Sequence, residues 1–424
     1  MLWFFFKLAL LIFSIVALLT IVLYPWYVQK LTSKYKPYLN WDEAYHFKVK
    51  DNWNLPFYYY GDPAAIYPKS FTKRKKEEKR LSKSSLLLKN PRVQSSQKIE
   101  KYPIILCHGI MANHLSFDLT PDLSLALYLK RHGFHVYSID LRGCGLSYLE
   151  DNGNKKNIQS KLKTVQFWKK LYSSSNEAKF SFDNMVEDIP DIINAVLTHH
   201  KKKTGFKTEK IHWLGHSLGS MLPYAAFNKD PLLKKKIKSY ILLGSPIGVS
   251  GISHKLVESF LKYPRKYVSS INLKFFAKLF SPFAGKIKTQ VDDFLYNDKL
   301  VSHDNIRRYL IYAIENINPL LTDHLIKWMR SGKMTNIKGD LNYASSLNNI
   351  NIPVLALTGS LDNLGTTKNI EKGMKEIGSK DKKLVILSKE NGFVENYCHG
   401  GLLFSEQATK EVFPIISEWL HDKS

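Results

Sequence analysis

The sequence predicts an α/β fold built on a mainly parallel sheet, and three observations carry that expectation. Apolar, strand-like runs alternate with helix-like stretches from Pro103 to Gly244, and again from Ile352 to the C-terminus. That alternation is the signature of βαβ units. His108-Gly109, the 141–147 loop, Ser217 and Ser245-Pro246 all fall at the carboxyl ends of the apolar runs, where open parallel sheets hold their ligands. The third observation is Ile211–Tyr224, I-H-W-L-G-H-S-L-G-S-M-L-P-Y, whose Gly215-His216-Ser217-Leu218-Gly219 fits G-x-S-x-G. Ile211, Trp213 and Leu214 read as a short buried strand, and Ala225, Ala226 and Phe227 continue a helix past Pro223. A strand turning abruptly into a helix puts Ser217 at the exposed tip, and glycine is needed on both sides because side chains there would collide.

Taken in order, the chain opens with Leu2–Tyr24, almost wholly apolar, with Lys7 its only charge and Pro25, Trp26 and Tyr27 following. That length spans a bilayer core as a helix, and the aromatics sit where interfacial residues belong. A cleaved signal peptide is the competing reading; the long apolar run, the weak leading charge and the lack of an A-x-A site favour an uncleaved segment. Residues 1–28 are therefore expected to be a single-pass membrane anchor or uncleaved signal. Lys30, Lys34 and Lys36 place the following domain on the cytoplasmic face by the positive-inside rule.

Residues 41–247 are expected to be the first part of the core. Tyr45–Tyr60 alternates on either side of Asp51-Asn52 as a β-hairpin does. The basic insertion 69–101, with K-R-K-K-E-E-K-R at 73–80, is either a solvated, partly disordered loop or a patch for anionic lipid headgroups. Strands follow at Pro103–Cys107, at His135–Asp140 and at Ser239–Gly244, with helices at Pro121–His132 and at Asp183–His200, the latter interrupted early by Pro190. From 248 to 350 the alternation stops. His254–Phe283 carries Phe260, Phe275, Phe276 and Phe280 among lysines at a roughly helical period, and Asn305–Ile317 and Leu321–Arg330 also look helical. These are either extra helices packed on the core or a helical cap facing a lipid-like substrate. Residues 351–424 close the core with strands at Ile352–Thr358 and Lys383–Ser388, a helix at Thr367–Ile377 and a last one at Leu402–Leu420.

The chain is long enough, at 424 residues with 44% hydrophobic, to bury a large core. Its formal charge of +25 fits nucleic acid, an anionic membrane surface or a lysine-rich composition. No zinc-finger, RNA-recognition or homeodomain motif supports nucleic acid, so membrane association is the more economical account. Cys107, Cys144 and Cys398 make neither a disulfide framework nor a metal spacing. Without a P-loop, dinucleotide fingerprint or H-E-x-x-H, no cofactor and no metal is implied.

A nucleophilic serine needs a base for its proton, a carboxylate to orient that base, and N–H donors for the oxyanion. Asp362 follows a strand through the short turn Gly359-Ser360-Leu361, and His399 lies in a glycine-flanked loop before the final helix. Aspartate is also common as a plain turn residue, and Asp340 is the fallback acid, although it precedes a strand instead of ending one. His399 competes with the reading of one surface-loop histidine among 14. The oxyanion donors are expected to be the N–H groups of Leu218 and Ile110. His108 and Gly109 support that loop, His108 bracing it while His399 serves as base.

The ordered set L-C-H-G-I at 106–110, D-L-R-G-C-G-L-S at 140–147, F-S-F-D-N-M at 180–185, D-I-P-D-I at 188–192, G-H-S-L-G at 215–219, T-G-S-L-D at 358–362 and Y-C-H-G-G-L-L-F at 397–404 resembles the α/β-hydrolase superfamily. Within it the chain resembles the acid-lipase-like branch of serine esterases and lipases. The resemblance implies Ser217, Asp362 and His399 as a triad, a covalent acyl-enzyme, no metal, and a cap over an apolar pocket. The expected activity is hydrolysis of lipidic or other apolar carboxylic esters. Acyl transfer or thioester cleavage by the same triad, and a catalytically silent membrane scaffold, are the rivals.

Overall fold

A computed structural model describes residues 24, 26–61, 102–150, 179–248, 272–286 and 301–424. The expected anchor up to Leu23, the basic insertion 69–101, residues 151–178, and residues 249–271 and 287–300 of the expected cap lie outside the described residues. Among the described residues, no helix is long and apolar enough to cross a membrane.

The described strands are β1 (Glu43–Lys48), β2 (Trp53–Tyr60), β3 (Ile104–Cys107), β4 (Val136–Ile139), β5 (Tyr148–Leu149), β6 (Ile211–His216), β7 (Ile237–Leu243), β8 (Val354–Gly359) and β9 (Lys382–Leu387). They form one sheet in the order β1-β2-β4-β3-β6-β7-β8-β9, with β5 paired to β2. β1 and β2 are the expected antiparallel hairpin, with Asp51 and Asn52 at φ 56° and 58° making its turn. From β4 through β9 every pairing is parallel. β3 and β6 are buried along their whole length, because helices cover both faces, and their sequences are accordingly near-continuous apolar runs.

The helices are α1 (Leu125–Arg131), α2 (Phe182–Glu187), α3 (Ile189–Thr204), α4 (Leu218–Lys229), α5 (Leu273–Phe280), α6 (His303–Tyr312), α7 (Pro319–Ser331), α8 (Thr367–Glu376), α9 (Gly401–Phe404) and α10 (Ala408–Asp422). Two expected helices differ in extent, and a third breaks at the interruption expected from Pro190, each for a local reason. α1 starts only at Leu125, because the Ser124 hydroxyl caps it by accepting from Leu127 N–H at 3.0 Å. The stretch 183–200 breaks at Asp188, where Pro190 opens the second helix; proline lacks the N–H that a continuous helix would require there. The last helix divides at Ser405, whose hydroxyl donates to the buried Glu395 at 2.8 Å.

Pro223 lies inside α4 and so leaves the Gly219 carbonyl without its usual i+4 donor. Trp213 of β6 fills the gap, its indole N–H donating to Gly219 O at 3.1 Å. The helix thereby keeps its proline and is locked onto the strand that precedes it. α5, α6 and α7 all come from the segment between β7 and β8.

Candidate active site

β6 ends at His216 and α4 starts at Leu218, so Ser217 is the single residue of the turn, at φ 54° and ψ −124°. That region is strained for a side chain larger than glycine. The surrounding contacts enforce it. Ser217 N–H donates to Leu243 O of β7 at 2.9 Å. A Cβ on Gly215 would stand 2.3 Å from Ser220 N, and one on Gly219 2.3 Å from Cys107 O, so both flanking positions are closed to any other residue.

The loop after β3 passes directly over this turn. A Cβ on Gly109 would lie 2.9 Å from Ser217 Cβ. Among the described residues, neither Ile110 N–H nor Leu218 N–H donates to a protein acceptor, which leaves two amides beside Ser217 for an incoming oxygen. His108 is fully buried and spends both ring nitrogens on the backbone. Its Nε2 accepts from Leu141 N–H at 3.0 Å and its Nδ1 donates to the Gly109 carbonyl at 2.7 Å. This pattern requires the neutral ring. Burial lowers the His108 pKa, while the nearby Asp140 pulls the other way.

Asp362 lies just beyond β8, 3% exposed. Its Oδ1 accepts from the N–H groups of Leu364 and Gly365 at 2.8 and 2.9 Å, and its Oδ2 takes His399 Nδ1 at 2.9 Å. Asp340, by contrast, sits on an exposed turn between α7 and β8, where it accepts from Asn336 Nδ2 at 2.6 Å. The histidine loop is pinned at Tyr397, whose carbonyl accepts from Leu361 N–H at 2.9 Å and whose hydroxyl donates to Glu411 of α10 at 2.6 Å. His216 Nε2 donates to the His399 carbonyl at 3.2 Å.

Gly244 closes the set. A Cβ there would lie 3.1 Å from Asp362 Oδ2 and 3.3 Å from His399 Nδ1, and the residue before it, Leu243, accepts from Ser217 N–H. The elbow, the aspartate and the histidine therefore meet at one end of the sheet.

Two buried carboxylates in this neighbourhood have roles that sequence reasoning misses. Asp140 accepts from His114 N–H at 2.7 Å, from Tyr58 hydroxyl at 2.8 Å and from Leu146 N–H at 3.1 Å, and it faces His114 Nδ1 at 3.0 Å. Burial alone would raise its pKa, but His114 holds it well below the usual carboxylate range. Glu315 comes from the segment between α6 and α7. Its Oε1 accepts from Asn113 Nδ2 at 2.7 Å and from Gly145 N–H at 3.2 Å, Lys274 reaches it at 2.6 Å, and its own N–H donates to Met111 O at 2.9 Å. Its one signal in the sequence is a lone charge between Ile314 and Ile317. Farther off, Arg142 grips Asp188 through Nε and Nη2 at 2.5 and 2.6 Å. A groove bounded by Asp323, His324, Lys327 and Ile337 includes none of the residues that meet at the elbow.

Comparison with known proteins places the chain in a family. The serine aminopeptidase S33 family matches residues 100–390. The gastric triacylglycerol lipase of Rattus norvegicus is 32% identical over 209 residues, 47% of this chain and 44% of that protein. The gastric triacylglycerol lipase of Mus musculus is 27% identical over 275 residues, 61% and 62% of the respective lengths. The chain thus spans less than two thirds of the length of these relatives. Among solved structures, a thermophilic esterase from Thermogutta terrifontis superposes with a TM-score of 0.50 at 14% identity, covering 90% of this chain and 99% of that one; this likeness bears on the fold alone.

Proposed function

Because the chain belongs to the serine aminopeptidase S33 family of α/β hydrolases, we propose that it is a membrane-anchored serine hydrolase that cleaves carboxylic esters with apolar acyl groups. The observation that carries the reading is the Asp362–His399 pair at 2.9 Å, set beside the strained Ser217 turn. His399 takes the Ser217 hydroxyl proton on Nε2 as Oγ attacks the acyl carbonyl, while Asp362 keeps the other ring proton on Nδ1. The Ile110 and Leu218 amides receive the oxyanion, each worth roughly 3–4 kcal/mol of barrier. His399 then gives its proton to the departing alcohol, and a water activated by the same ring releases the acid from Ser217.

The apolar preference is supported by likeness to the gastric triacylglycerol lipases. The inward-facing side of a helical cap over residues 248–350 would supply the acyl-facing wall, leaving the exposed Phe276, Phe280 and Phe283 outside it. The anchor is supported by the 1–28 composition and the +25 charge, and Lys30, Lys34 and Lys36 favour the cytoplasmic face; the 69–101 stretch adds a basic contact for headgroups.

The test uses the full-length protein in vesicles with a chain-length series of p-nitrophenyl esters and product analysis. Turnover rising with acyl length, with free acid as product, is the expected result. A flat series overturns the apolar preference. A labelled transfer product without free acid assigns acyl transfer, faster cleavage of the matching thioester assigns a thioesterase, and cleavage of aminoacyl anilides alone assigns a peptidase.

A further inference from the structure

α5, L-K-F-F-A-K-L-F, presents two different faces. Leu273 and Ala277, one turn apart, pack on the apolar cluster that includes Tyr309 and Phe404. Lys274 reaches to Glu315, which is bonded to Asn113, Met111 and Gly145 on the loops at the catalytic end of the sheet. The helix therefore stands beside the mouth of the site. Its other face carries Phe276 and Phe280, 40% and 56% exposed, with ring centroids 6.2 Å apart and nearly parallel, and Phe283 follows at 42%. Three exposed phenylalanines on one short segment are costly in water unless something covers them.

The neighbouring N-terminal segment points to a membrane as that cover. Tyr24, the first residue described, donates its hydroxyl to Leu279 O of α5. The helical stretch 26–34 that follows is strapped to α6: Tyr312 hydroxyl donates to Thr32 O at 2.6 Å, Tyr35 hydroxyl to Asp304 at 2.7 Å, and Arg308 Nη1 to Tyr35 O and Lys36 O at 3.0 and 2.8 Å. The apolar run Leu2–Leu23 thus joins the folded body beside α5. As a helix it would be roughly 33 Å long, enough to cross a hydrocarbon core of about 30 Å. Trp26 and Tyr27 are exposed at the junction, Lys30, Lys34 and Lys36 are exposed just after it, and Lys286 is exposed three residues beyond Phe283.

We propose that the Phe276–Phe280–Phe283 face, together with Trp26 and Tyr27, seats on an anionic bilayer, so that the active-site end of the sheet faces the membrane and draws its ester directly from the lipid phase. Aromatic side chains settle at the headgroup boundary and the lysine rim meets anionic headgroups. The inference deepens the anchored-hydrolase reading: it takes the substrate from that reading and adds the orientation.

The test compares full-length wild type with the triple variant F276S/F280S/F283S in phosphatidylcholine vesicles, with and without phosphatidylserine. Hydrolysis of a bilayer-embedded long-chain ester should fall about tenfold or more in the variant, while hydrolysis of soluble p-nitrophenyl acetate stays unchanged. Unchanged turnover of both esters, or an equal fall in both, overturns the proposal, and so does wild-type turnover indifferent to phosphatidylserine. A polarity-sensitive dye on the thiol introduced in the C144S/F280C protein should brighten only when vesicles are added; a dye already bright without them means that the face is covered by the 2–23 segment or by a second copy, which refutes a bilayer contact. Alkaline extraction of wild-type vesicles tests the anchor separately, since loss of the anchor leaves the variant-against-wild-type comparison readable.

Discussion

Replacing Asp362 by asparagine tests the orientation of His399 with almost no change in volume. Asp362 Oδ1 accepts two backbone N–H groups, from Leu364 and Gly365 at 2.8 and 2.9 Å. The amide oxygen of the substituted side chain will therefore occupy that place, because its NH2 would face two donors there. The NH2 is left at the Oδ2 position, 2.9 Å from His399 Nδ1. A donor facing Nδ1 forces the imidazole to carry its proton on Nε2, and the ring can no longer accept from Ser217. The expected loss is about 10³- to 10⁴-fold in kcat, or roughly 4–5.5 kcal/mol of barrier. Steady-state hydrolysis of a p-nitrophenyl ester measures it, with circular dichroism and the melting temperature as controls for folding. A loss smaller than about tenfold in a folded D362N protein refutes the assignment of the acid. Full activity in D362N with loss in Asp340→Asn would move the role to the exposed turn.

Further expectations follow from the same geometry. Gly109→Ala puts a Cβ 2.9 Å from Ser217 Cβ and 3.3 Å from His216 O, so kcat should fall by roughly tenfold or more through displaced oxyanion donors while KM changes little; near-normal kcat would place the loop elsewhere in solution. Arg142→Ala strands the buried Asp188 and should cost about 3–5 kcal/mol by denaturant titration at pH 8. Burial pushes the Asp188 pKa up to about 6 even with Arg142 beside it, so the same substitution should cost less at pH 5, where the carboxyl takes a proton. Burial lowers His212 to about 3 in the fold, whereas the unfolded chain protonates near 6.5; a lowered histidine contributes stability that is present above its unfolded pKa and lost as pH falls below it. His212 alone should cost about 2 kcal/mol between pH 7 and pH 5, with His108 and His216, also lowered by burial, adding in the same direction. A His212→Gln protein should show a shallower fall of melting temperature over that range, and an identical slope would contradict the assignment.

The parallel core is legible because its strands are short apolar runs ended by glycine, serine or aspartate, a pattern set by local sterics and burial. Asp362 and His399 are legible for the same reason, since each follows a strand whose end the sequence marks. Helix ends are less so. Ser124 acts through a cap that shifts a boundary by several residues without altering the apolar period, whereas the break near Pro190 is marked by the proline itself. Beyond its lone charge, the role of Glu315 is not readable, since its partners Asn113, Gly145 and Lys274 are distant in the chain and only the fold brings them together. The aromatic period of 254–283 suits pocket lining or packing; within it, Phe276 and Phe280 face outward, a distinction that periodicity cannot make because an apolar face on lipid and one on protein have the same spacing.

The most direct measurement is fluorophosphonate labelling of the folded full-length protein, followed by peptide mass analysis. The account predicts one adduct per chain, on Ser217, with ester hydrolysis lost in proportion to labelling, and neither labelling nor hydrolysis in a folded Ser217→Ala protein. An adduct on a different residue, or a folded wild-type protein that takes no label, would contradict the account.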